Sequence, residues 1–64
     1  MLYHYPAQEI RRSQAQTAEV VLLENHASPR FAVEACRPDG IVRLCVTDDK
    51  RLAEEVLTRA TLDL

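Results

Sequence analysis

Two alternating apolar runs, Phe31 to Cys36 and Ile41 to Val46, flank the tetrapeptide Arg37-Pro38-Asp39-Gly40, and this arrangement constrains the fold more than any other feature. Proline presets the first inner position of a turn and glycine tolerates conformations closed to other residues, so the segment reads as a β-hairpin. Pairing Cys36 with Ile41 sets Ala35 against Val42, Val33 against Leu44 and Phe31 against Val46, all apolar. It also brings Glu34 opposite Arg43, an opposite-charge cross-strand pair. The rival is a type I turn with a glycine bulge, which pairs Arg37 with Ile41, Ala35 with Arg43 and Glu34 with Leu44. A slip of one residue exchanges the faces of a strand, so the apolar pattern favours the first register.

Upstream, Thr17 to Glu24 carries the run Val20-Val21-Leu22-Leu23, and the turn-forming Asn25-His26-Ala27-Ser28-Pro29 follows it. This reads as another strand, with Val21 and Leu23 beside Val33 and Phe31. Ala7, Ile10, Gln14, Ala18 and Val21 fall at helical spacing, so one helix from Pro6 through Leu23 competes. The preferred reading is a helix from Pro6 to about Gln16, then the strand. Downstream, Asp48 or Thr47 is positioned to cap a helix starting at Asp49. Its apolar stripe is Leu52, Ala53, Val56, Leu57 and Ala60, with Lys50, Glu54, Glu55 and Arg59 toward water. The alternating tail Thr61 to Leu64 suggests a short further strand. The expected class is α+β: an N-terminal helix, a three-stranded antiparallel meander, a C-terminal helix packed on one sheet face and a short terminal strand. With a single glycine, placed in the turn, no internal linker is evident, and residues 1–64 read as one small domain.

A domain this small buries only about 60% of the surface its unfolded chain exposes, so disulfides, a metal or oligomerisation usually assist it. Two cysteines and two histidines without ligand spacing are a poor kit for stapling. Cys36 and Cys45 fall about 13 Å apart at the usual strand rise, beyond disulfide reach. They read as small hydrophobes rather than reactive thiols, since only Arg43 is near in sequence. Neither His4 with His26 nor His26 with a cysteine makes a recognisable metal or nucleophile arrangement. Asp48-Asp49 and Glu54-Glu55 read as capping and solvated helix surface rather than acid–base pairs. No catalytic residue, cofactor or metal ligand is assigned, and no enzyme is expected.

The predicted helix covers the face carrying Phe31, Val33, Val42, Leu44 and Val46. Opposite it would lie Val20, Leu22, Ala32, Cys36, Ile41 and Cys45, interrupted by Glu34 and Arg43. A face that apolar requires cover, and the N-terminal helix offers little beyond Ile10 and alanines. A symmetric homodimer is the economical expectation, with Val20, Leu22, Ala32, Glu34, Ile41, Arg43 and Cys45 as its interface. The alternative is a shifted strand whose residues complete an intramolecular core. The expected function is a non-enzymatic interaction or regulatory module, self-associating and open to a larger protein partner through a strand edge or helix.

The functional alternative is a nucleic-acid-binding regulator using Arg11, Arg12, Arg37 and Arg43, arginine being well shaped for phosphate. A net charge of −2 and a pI near 5.5 argue against a partner held by bulk electrostatics. Aromatic residues do not interleave with the arginines, and no recognition motif accompanies them. The longest apolar run, Val20 to Leu23, is far too short to span a bilayer, and the first residues lack a secretory pattern. A reducing cytoplasm is the expected location.

Overall fold

A strand buried on both faces needs a neighbour at each edge, and the segment Val20-Val21-Leu22 is such a strand. In the computed structural model, which describes residues 7–64, it has both neighbours. The elements are β1 (Gln8–Gln14), β2 (Glu19–Glu24), β3 (Phe31–Arg37), β4 (Gly40–Thr47) and α1 (Lys50–Asp63). They form a four-stranded antiparallel meander, in the order β1-β2-β3-β4, followed by one helix packed on the sheet.

The expected N-terminal helix is therefore replaced by β1, apart from Pro6, which lies outside the described residues. Helical spacing was present in that segment, but its apolar residues were too few and too small to hold a helix on a core. Pairing with β2 instead satisfies the free edge of the most buried strand. β1 is bulged at Ile10, which turns toward the core. No strand forms at the C-terminus, because α1 runs through Asp63 and ends on Leu64.

Near the turn the hairpin adopts the favoured register, with Arg37 opposite Gly40, Cys36 opposite Ile41, Ala35 opposite Val42 and Glu34 opposite Arg43. Gly40 has φ +151°, a region that residues with a Cβ rarely enter. Beyond Arg43 the register shifts: Leu44 is an extra residue, so Val33 meets Cys45, Ala32 meets Val46 and Phe31 meets Thr47. This bulge turns Cys45 toward the helix and Val46 away from it, reversing the expected placement of both. β2 is offset by one residue from the expected pairing as well. Val20 meets Ala35 and Leu22 meets Val33, so Val20 and Leu22 lie under the helix while Val21 and Leu23 face away.

Asp49, one residue later than expected, is the helix N-cap, its Oδ1 accepting from the N–H of Arg51 (3.0 Å) and Leu52 (3.3 Å). From the end of β4, α1 crosses to the β1–β2 turn, where the Thr17 N–H and Oγ1 donate to the Leu64 carbonyl at 2.9 and 2.7 Å. Ala53 and Leu57 face inward and pack with Ala15, Val20, Leu22, Phe31 and Val33 as the core. Leu52, expected in the buried stripe, is exposed. At the opposite end, Asp48 ties the β2–β3 loop to the helix start. Its carboxylate accepts from Ser28 Oγ at 2.6 Å and the Arg30 N–H at 2.9 Å, which holds it below the usual carboxylate range.

Candidate interaction surface

The face away from α1 is made of three cross-strand rows that follow from the registers. They run Gln14-Glu19-Cys36-Ile41, then Arg12-Val21-Glu34-Arg43, then Glu9-Leu23-Ala32-Val46. Ion pairs cover much of it. Arg12 donates to Glu9 at 2.7 and 2.8 Å and also to Glu19, while Arg43 donates to Glu34 at 2.9 Å. The Arg12 guanidinium holds the Glu9 carboxyl below its ordinary range, and the Glu9 carboxylate, with Glu19, raises the pKa of Arg12 in turn. Within this charged frame Val21 and Ala32 are buried.

The exposed apolar surface is concentrated elsewhere, on β4. Ile41 is 66% exposed, Val42 50%, Val46 47% and Leu44 39%. Ile41 and Val46 belong to the face away from the helix, and Val42 and Leu44 to the helix side. Because α1 diverges from β4 as it crosses the sheet, it leaves a groove of about 380 Å³ lined by Leu44, Leu52, Val56 and Ala60, with Glu55 and Arg59 along its rim. The second edge of β4 has no strand paired to it among the described residues.

The expected interface set is therefore divided. Ala32, Glu34, Ile41 and Arg43 share the face away from the helix. Val20 and Leu22, 0% and 1% exposed, are the centre of the core, and Cys45 packs against that core. For β2 the structure takes the alternative already weighed, a shifted strand that completes the intramolecular core. Val42, Leu44 and Val46 were missed as a surface because strict alternation places all three under the helix. That β4 is an outer strand was legible, since it closes a meander and runs directly into a helix.

The arginines considered for nucleic acid are not gathered. Arg11 lies on the helix side of β1, 3.9 Å from Glu54, whereas Arg12 lies on the opposite side, engaged by two carboxylates. Arg37, at the end of β3, is two strands away and Arg43, on β4, three, and Arg43 is paired with Glu34. Cys36 and Cys45 are free thiols on opposite faces of the sheet. His4 lies outside the described residues, and His26 sits in the exposed β2–β3 loop. Among the described residues no cluster of three metal-ligating side chains occurs, and no helix is long and apolar enough to cross a membrane.

The fold and surface define a small α+β domain with one apolar outer strand. Comparison with known proteins gave no match, whether to family models, to curated proteins or to solved structures.

Proposed function

We propose that this protein is a non-enzymatic interaction or regulatory module that acts by self-association through the apolar residues of β4. The observation that supports this is the concentration of exposed Ile41, Val42, Leu44 and Val46 on one strand, while the other apolar residues of the sheet are buried or half-buried. Exposed apolar side chains gathered on one strand of a small domain mark a binding site more often than singly scattered ones do. Nucleic-acid binding has less in its favour, because Arg12 and Arg43 are already neutralised and the other arginines stand apart.

Sedimentation of the wild-type chain over a wide concentration range tests the proposal, together with the double variant Ile41→Asp/Val46→Asp. The wild type should approach twice the 7.3 kDa chain mass, and the variant should stay at one chain mass while keeping its circular dichroism. A folded variant with undiminished association would remove these residues from the interface.

A further inference from the structure

The two outer strands of the sheet are built differently. β1 carries Glu9, Arg11 and Arg12 among polar neighbours, the usual means of keeping an edge from pairing. β4 is longer, holds one charge, Arg43, and that charge is held by Glu34. The bulge at Leu44, a device that often blunts edges, here distributes apolar side chains to both faces of the strand.

This distribution makes β4 complementary to itself. A two-fold axis normal to the sheet, passing beside β4, sets the strand antiparallel to its copy and keeps the helix side of one chain on the helix side of the other. Val42 and Leu44 of both chains then line one face of the joined strands, and Ile41 and Val46 the other. Any register not centred on Arg43 keeps the two Arg43 side chains from facing each other. The helix-side groove is closed laterally by the added strand, which covers Leu44, Leu52 and Val56. At their observed exposures, Ile41, Val42, Leu44, Val46 and Leu52 together expose roughly 400 Å² per chain. Two copies supply roughly 800 Å², and the flanking residues that the pairing also covers bring this toward the 1,200–2,000 Å² of a specific dimer.

We infer that the occupant of this edge is a second copy of the chain, joined β4 to β4 in one continuous eight-stranded antiparallel sheet. The inference rests on the self-association proposed above and adds its mode, strand pairing rather than stacking of the faces away from the helices.

Hydrogen exchange on the wild-type chain, followed by NMR across a dilution series with sedimentation on the same samples, tests it. In the associated state alternate β4 amides should exchange about tenfold or more slowly than in the dilute monomer, with β1 amides unchanged. Leu44→Lys, at the edge, should abolish association, and Leu23→Lys, on the outer face of β2, should leave it intact. Association without concentration-dependent protection of β4, or lost in folded Leu23→Lys and retained in Leu44→Lys, overturns edge pairing and keeps self-association. A chain that remains monomeric at every concentration overturns both and leaves the β4 edge to a different polypeptide.

Discussion

Replacing Leu22 by alanine separates a core role from a surface role for this residue, which the sequence pattern and the structure place on opposite faces of the sheet. Leu22 is 1% exposed, opposite Val33 and beneath α1, so truncation removes packed methyl groups in a site closed on every side. Such replacements cost about 2–5 kcal/mol through lost transfer energy and the cavity left behind. A 64-residue domain at ordinary stability per residue has only about 3–10 kcal/mol in total. Leu22→Ala should thus remove about a fifth of the stability or more. Ile41→Ala is the control: with two thirds of its surface in water, it forfeits about 0.5–1 kcal/mol of burial in the monomer. Urea titration followed by circular dichroism, at a concentration where sedimentation gives one chain mass, measures both. With m near 1 kcal/mol per molar urea, the midpoint should fall by about 2 M or more for Leu22→Ala and by under about 1 M for Ile41→Ala. Equal shifts, or a Leu22→Ala variant altered in association but not in stability, would refute the placement of β2.

Gly40→Ala should destabilise by about 1–3 kcal/mol through backbone strain alone, since a Cβ there meets nothing within 4 Å; thermal unfolding would show a lowered, still cooperative transition. Asp49→Ala should cost about 1 kcal/mol by removing the side-chain acceptor for Arg51 and Leu52, and Asp49→Ser should restore most of it. Asp48 contributes fully above the carboxyl pKa of the unfolded chain and loses its contribution as pH falls through its lower folded value. The stability gap between wild type and Asp48→Asn should therefore shrink as pH drops from 6 toward 2 in acid-dependent melting, and a constant gap would contradict the Ser28 and Arg30 contacts as its source.

The hairpin was legible because turn residues and alternation agreed from Ala35 to Val42, and because Glu34 and Arg43 attract in only one of the two registers. The C-terminal helix was legible from its apolar stripe, although its cap is Asp49 rather than Asp48 or Thr47 and Leu52 faces water. β1 was not, because a strand recruited to finish another strand's hydrogen bonding has no reason to carry its own apolar pattern; QEIRRSQ has one large apolar residue. The register of β2 was hidden for a related reason. Val20, Val21, Leu22 and Leu23 are all apolar, so either pair satisfies the core, and only the partners chosen by β1 and β3 decide between them. The candidate surface inherited both errors, since faces follow from register.

The bulge at Leu44 was the remaining obstacle, and it supports a test of how β4 is organised. Deleting Leu44 leaves Arg43 followed directly by Cys45, and the observed partners Glu34–Arg43, Val33–Cys45, Ala32–Val46 and Phe31–Thr47 then form one uninterrupted ladder. Every remaining side chain keeps its face. The loss is the buried part of one Leu that is 39% exposed, about 1 kcal/mol, offset in part by ladder hydrogen bonds that the extra residue interrupts. Deleting Glu34 instead leaves no such solution. With the turn register kept, Val33 takes the place of Glu34 and leaves the core, and Phe31 leaves with it. The Leu44 deletion should therefore fold cooperatively within about 2 kcal/mol of wild type, and the Glu34 deletion should not fold. If both are tolerated, or both unfold, the bulge is not where the register of β4 changes. A folded Leu44 deletion would also lack one of the apolar residues proposed to join two copies, so its association should weaken while its fold persists.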